Sequence, residues 1–121
     1  MHCVGVDIIE IGRVEEAINN FGERFLHRVY TETELGLCGH EPESFAVRFA
    51  GKEAVMKALG TGVRGVGWRE IEILAERSGK PWVRLSGKAQ RRAEGLGLKD
   101  LAISLSHSRE YAVAFVVGDT V

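Results

Sequence analysis

The sequence predicts an α+β fold in a single domain over residues 1–121, and three observations predict it. The chain is 45% hydrophobic and 27% charged, enough apolar surface for one core, while its 121 residues leave no length for a second module. Hydrophobic spacing runs in the order strand, three helical stretches, two strands, helix, two strands. The later strands fall in pairs joined by short turns, which makes them antiparallel hairpins rather than the crossover-linked strands of a doubly wound sheet.

Cys3 to Ile9 is rich in Val and Ile and alternates Val4, Val6, Ile8 against Gly5, Asp7, Ile9, the period of a strand. From Ile11 to Val29 apolar residues recur at helical spacing, with Gly22 as a break between two helices. Thr31 and Glu34 have the spacing of a capping box, which opens a short helix through Cys38. After the loop Gly39 to Pro42, the Ala-rich stretch Phe45 to Leu59 forms the main helix, ended by Gly60-Thr61-Gly62. Gly62 to Gly67 reads as a loop. Glu70–Glu76 and Pro81–Ser86 pair through the turn Arg77-Ser78-Gly79-Lys80, Gly87–Gly97 is an amphipathic helix, and Leu101–Ser106 and Tyr111–Val117 close the fold as a second hairpin.

Charge and cysteine usage remove several function classes. Sixteen Lys and Arg against seventeen Asp and Glu give a net charge of −1, so there is no electrostatic case for general nucleic-acid or membrane-surface binding. Cys3 and Cys38 lie in neither zinc nor disulfide spacing, which fits a reducing cytoplasm. No apolar run approaches the ~20 residues of a membrane span, and Met1-His2-Cys3-Val4 lacks the opening of a signal peptide.

The main helix is chemically odd. On a wheel, Phe45, Phe49, Met56 and Leu59 form one apolar face and Ala46, Ala50 and Ala54 another, so both look buried. Yet Glu53 and Lys57 fall among the alanines and Lys52 inside the aromatic stripe. Either these are an i,i+4 ion pair and a snorkelling lysine, or the helix lines a polar cleft where the charges have partners such as metal or phosphate. Asp7, bracketed by Val6 and Ile8, poses the same choice between capping the next helix and serving as a ligand. Asp7 and Glu53 together match the protein's share of a magnesium site, which takes one or two carboxylates and leaves the rest to water and substrate phosphates. Arg48 and Lys57 then suit phosphate oxygens, and Gly60-Thr61-Gly62 offers unobstructed backbone N–H groups. His107 at a strand end is either an ordinary hydrogen-bonded residue, the commoner case, or, with the hydroxyls of Ser106 and Ser108, part of an anion-binding corner. Neither GxxxxGK[ST] nor GxGxxG is present, which argues against a nucleoside triphosphatase or a Rossmann cofactor site.

These residues form blocks that resemble a known family. Gly5-Val6-Asp7-Ile8-Ile9-Glu10-Ile11 with Arg13, Phe45-Ala46-Val47-Arg48-Phe49-Ala50-Gly51-Lys52-Glu53-Ala54 with Lys57-Ala58-Leu59-Gly60-Thr61-Gly62, and Ile103-Ser104-Leu105-Ser106-His107 with Tyr111-Ala112 are similar to the signature blocks of holo-acyl-carrier-protein synthases. The Ser78-Gly79-Lys80-Pro81 turn is similar too. Two positions depart from the pattern: Ala102 stands where the family commonly has His, and Gly51 where it usually has Ala.

The resemblance implies a 4′-phosphopantetheinyl transferase fold of the short class. It implies transfer of 4′-phosphopantetheine from coenzyme A to a serine of apo acyl carrier protein, releasing adenosine 3′,5′-bisphosphate, in support of fatty acid biosynthesis. Asp7 and Glu53 would hold Mg2+, with Asp7, Glu53 and Lys57 as the catalytic group. Arg48, Lys52, Gly60, Thr61, Gly62, Lys80, Pro81, Ser106 and His107 would bind the coenzyme, and Arg13, Arg24 and Arg28 would dock the carrier protein. A homotrimer with clefts between subunits is implied as well, with Ala46, Ala50 and Ala54 on the helix and Ala102, Ser104, Ala112 and Ala114 on the last strands as close-packing faces. A catalytically silent coenzyme A or phosphate-binding module and a purely structural trimerisation domain are the competing readings.

Overall fold

In the computed structural model, which describes residues 1–120, strand β1 (His2–Glu10) leads into helices α1 (Ile11–Phe21) and α2 (Glu23–Val29). Gly22 between these two helices has φ of 53°, a conformation that stops α1 without the Cβ cost another residue would meet. Thr31 and Glu34 form both bonds of the capping box that opens α3 (Glu32–Cys38): Glu34 N donates to Thr31 Oγ1 at 3.3 Å, and Thr31 N to Glu34 Oε1 at 3.0 Å. The main helix α4 (Pro42–Leu59) starts three residues before the alternation predicts, because Pro42 has its φ preset for a first helical turn and no N–H to leave unpaired. A one-turn helix α5 (Gly62–Gly65) and a 3₁₀ turn (Trp68–Glu70) replace the expected loop. Hairpin β2 (Ile71–Ala75) and β3 (Pro81–Leu85), helix α6 (Gly87–Leu96), and strands β4 (Leu98–His107) and β5 (Tyr111–Thr120) complete the chain. Four full helices thus precede β2, since the stretch broken at Gly22 is two.

The strands form two antiparallel sheets, ordered β1-β5-β4 and β2-β3. Helix α4 lies across the first sheet with its alanine row inward. Ala46, Ala50 and Ala54 and, opposite them, Ala112, Ala114 and Val116 are fully buried. Approach is so close that a Cβ on Gly5 would overlap the carbonyl oxygen of Ala54.

This packing corrects the expectation that Ala112 and Ala114 meet a second copy. The small residues of β5 are used within the chain, because only small side chains let helix and sheet backbones come this near. The opposite sheet face carries the bulk. Val4, Val6, Ile8 and Phe115 are 54%, 50%, 64% and 46% exposed there, with Tyr111 beside them. Ala102 and Ser104 share that open face, opposite Val117 and Phe115.

Candidate active site

The close contact at Gly5 and Ala54 builds the site. Asp7 is two residues along β1 from Gly5 on the same face, and Glu53 adjoins Ala54 on α4, so the tight strand–helix crossing brings the two carboxylates together. Both line a cleft of about 430 Å³ that Arg13, Phe25 and Phe49 also border. Asp7 does not cap α1. That helix is preceded by Glu10 and has no side-chain cap, while Asp7 Oδ1 accepts from Lys57 Nζ at 3.0 Å, a nitrogen that also donates to Val6 O at 2.9 Å.

Burial and the Asp7 carboxylate beside it, which also hydrogen-bonds to it, push the Glu53 pKa up to about 7, with Lys57 opposing the shift. Glu53 in the metal-free chain is therefore not the fully ionised carboxylate that an ordinary Glu would be at neutral pH. Two hard oxygen donors crowded until one holds its proton are a donor set that fits a magnesium ion, whose charge would relieve the repulsion. Among the described residues no cluster of three or more His, Cys, Asp or Glu that could hold a metal ion exists, and Asp7 and Glu53 are the pair that would hold one in this cleft.

Arg48 and Lys52 do not join them within the chain but turn toward β2. Arg48 Nε donates to Ile73 O at 3.0 Å, and its Nη1 to Ser44 Oγ at 2.8 Å. Lys52 has no exposed surface. Its Nζ donates to Glu34 Oε1 at 2.7 Å, to Trp68 O at 3.0 Å and to Ile71 O, so it neither snorkels to water nor faces a cleft. Burial pushes its pKa down while Glu34 pulls it back up.

The remaining sequence-assigned residues lie in separate places. Gly60, Thr61 and Gly62 follow α4 one turn past Lys57, and both glycines have positive φ, 72° and 62°. Lys80 and Pro81 border a hollow of about 310 Å³ along the seam of β3 and β4. Ser106 and His107 end β4, on the far side of β5 from Asp7, with His107 Nδ1 3.2 Å from Ser108 O. Arg24 and Arg28 edge a hollow of about 650 Å³ with Phe21, Phe25 and His27. Within one chain these groups are not brought together.

Two residues of the cleft wall escaped the residue-level reading. Phe25 and Phe49 stack with centroids 6.2 Å apart, and Phe49 stacks on Trp68 at 4.8 Å. The signal was the i,i+4 spacing of Phe49 and Glu53, which places the ring one turn before the carboxylate.

A family model for the 4′-phosphopantetheinyl transferase superfamily matches residues 3–116. The chain belongs to this superfamily. Among curated relatives, the holo-(acyl-carrier-protein) synthase of Herpetosiphon aurantiacus is 48% identical over 125 residues, covering 98% of each chain. Among solved structures, the holo-(acyl-carrier-protein) synthase of Neisseria meningitidis superposes with a TM-score of 0.89 at 34% identity, covering 98% of both chains. That of Helicobacter pylori, in complex with coenzyme A, superposes with a TM-score of 0.88 at 32% identity, over 96% of this chain and 99% of its own. The α+β class read from the sequence is the fold of these proteins.

Proposed function

We propose that the chain transfers 4′-phosphopantetheine from coenzyme A to a serine hydroxyl of apo acyl carrier protein, releasing adenosine 3′,5′-bisphosphate and supplying carrier protein to fatty acid biosynthesis. The observation that carries this reading is the Asp7–Glu53 carboxylate pair in a cleft walled by Phe25 and Phe49, in a chain of this superfamily. Asp7 and Glu53 would hold Mg2+, whose charge would help neutralise the pyrophosphate of coenzyme A.

The chain's own groups do the rest. Glu53 is the carboxylate placed to take the serine proton, directly or through water, as that oxygen attacks phosphorus. The bond to the bisphosphate then breaks, and Lys57, on the same helix face one turn on, balances charge on the departing group. Gly60, Thr61 and Gly62 present backbone at the end of the same helix. Lys80, Pro81, Ser106 and His107 lie elsewhere on one chain, and that separation supports a site completed between subunits of a homotrimer. The apolar open face of the β1-β5-β4 sheet is the surface such an assembly would cover.

Carrier docking falls to the basic side of α1 and α2. Arg13 borders the catalytic cleft, Arg24 and Arg28 border the neighbouring hollow, and Phe25 lines both, which gives an acidic helix one continuous path to Glu53. Free thiols at Cys3 and Cys38, together with the lack of any membrane-crossing helix among the described residues, support a cytoplasmic setting.

Mass spectrometry of apo carrier protein incubated with the chain, coenzyme A and magnesium tests the reading. Gain of the phosphopantetheine mass is expected. Coenzyme A binding without transfer would identify a silent binding module, and neither binding nor transfer a structural domain.

A further inference from the structure

Strand β2 pairs with β3 along one edge only. Its other edge is met by side chains. Arg48 donates to Ile73 O, Lys52 to Ile71 O, and Glu34 Oε2 accepts from Ile73 N at 2.9 Å, so three groups that would pair with a neighbouring strand are bonded to one arginine and one ion pair. The ammonium of Lys52 has three protons and three acceptors, and Glu34 accepts from Lys52, Thr31 N and Ile73 N. Thr31 extends the network outward by donating to Glu72 Oε2 at 2.7 Å.

Arg48 and Lys52 are one row of α4, four residues apart. Phe49, Glu53 and Lys57 are the adjacent row, about 100° around the helix. The opposite side of the helix is the alanine row on the sheet, which has no large side chains of its own, and Phe45, Val55, Met56 and Leu59 are buried on the flanks between. Packing of these side chains holds the helix in place, and the directional bonds to β2 fix its turn about its own axis more finely. The link from Lys52 to Trp68 O works the same way, because Trp68 stacks on Phe49 at the cleft wall. Stability alone is a poor account of the pair, since desolvating two charges offsets their attraction.

We propose that Glu34 and Lys52 are positioning residues that fix the rotation of α4, and with it the aim of Glu53 and Lys57 at Asp7 and the bound substrate. The kinetic part of this rests on the transferase reading above; the geometric part does not. The test is the double variant Glu34→Leu/Lys52→Met, which replaces the pair with apolar groups of similar reach. Cooperative thermal unfolding is expected to persist, with the KM for carrier protein within twofold of wild type. Misaiming the reacting groups should lower kcat by about 10- to 10²-fold at 25 °C. A role in stability alone would shift the melting temperature and leave kcat unmoved.

Nuclear Overhauser contacts between the Asp7 and Lys57 side chains, 3.0 Å apart in the native chain, give a readout independent of activity. They should be lost in the double variant. A folded double variant that keeps these contacts and wild-type kcat overturns the proposal. If the wild-type chain proves inactive the transferase reading fails, and the contacts alone decide the positioning role. Should the double variant not fold, Thr31→Val decides instead: it leaves both charges paired and the bond from residue 31 N to Glu34 Oε1 in place, but removes the hydroxyl that accepts from Glu34 N and donates to Glu72. About a threefold fall in kcat is expected of it with carrier KM unchanged, and an unchanged kcat overturns the proposal.

Discussion

Two carboxylates held side by side repel unless a proton or a cation lies between them, and Glu53 resolves the conflict by keeping its proton to about pH 7. Its ordinary value is 4.5, so between these limits the folded metal-free chain binds a proton that the unfolded chain has released. The stability this contributes is complete below the unfolded value and is lost as pH rises through the folded one. The melting temperature of the metal-free protein should therefore fall between pH 5 and pH 8, and Glu53→Gln should flatten that slope. In the transferase assay the same variant should lower kcat by at least about 10²-fold, the lower end of a general-base contribution. A wild-type rate would remove Glu53 from both roles. Asp7→Ala acts on the partner: the Glu53 pKa should drop once its neighbour is gone, seen as a carboxyl titration by NMR, while the magnesium needed for half-maximal activity rises. An unmoved titration would show that the pair is not coupled. Asp7 and Glu53 were legible in the sequence as charges in apolar patterns, but Lys52 carried the same signal and bonds β2. Patterning marks a charge that needs a partner. Whether the partner is a ligand or a backbone carbonyl depends on which element packs alongside, and one strand's alternation does not contain that.

At the scale of elements, the site depends on how near α4 comes to β1. Gly5→Ala would drive a methyl group into the Ala54 carbonyl, and backbone on both sides leaves nothing soft to yield. Overpacking of this kind costs about 1–3 kcal/mol and often more. The two elements would have to separate, carrying Asp7 from Glu53, so loss of melting temperature and loss of transferase activity should appear together; retention of both would mean the crossing tolerates more space than its geometry implies. Gly51→Ala is the contrasting case within the same helix. A Cβ there would lie 3.3 Å from the Cδ1 methyl groups of Ile103 and Ile73, the movable ends of side chains. Helix propensity favours Ala by about 1 kcal/mol, so urea unfolding should show a variant equal to or more stable than wild type, and a clear loss would reveal a rigid pocket around those methyls. Most elements were readable because each has a local cause, such as the Thr31–Glu34 box or the break at Gly22. The early start of α4 at Pro42 and the turn of helix at Gly62–Gly65 were not, since neither carries hydrophobic periodicity.

For the molecule as a whole, the question is which face of the three-stranded sheet remains for a second copy. Alternation in β5 separates Ala112, Ala114 and Val116 from Tyr111, Val113, Phe115 and Val117, but both sets are apolar, so the period alone does not say which one the helix covers. Close packing decides it: α4 can approach only the small set, and the bulky set is left facing outward with Val4, Val6 and Ile8 of β1. A contiguous apolar surface of this kind marks a contact site on a protein otherwise rich in surface charge. The informative substitution is therefore on the outward face, at Phe115, paired with Val6 on one side and Ser104 on the other near the middle of the sheet. Phe115→Arg leaves the core of a single chain untouched, because the ring is already 46% exposed, so the variant should fold. In a trimer packed through this face, the substitution would bury an unpaired charge in each copy, at several kcal/mol apiece even after relaxation. Under the proposed homotrimer, light scattering should report a trimer for wild type and a monomer for the variant, and transfer activity should fall with the assembly, because Lys80, Pro81, Ser106 and His107 would no longer reach a neighbour's Asp7 and Glu53. A wild-type protein that is monomeric and fully active at assay concentration would show that one chain completes the site alone.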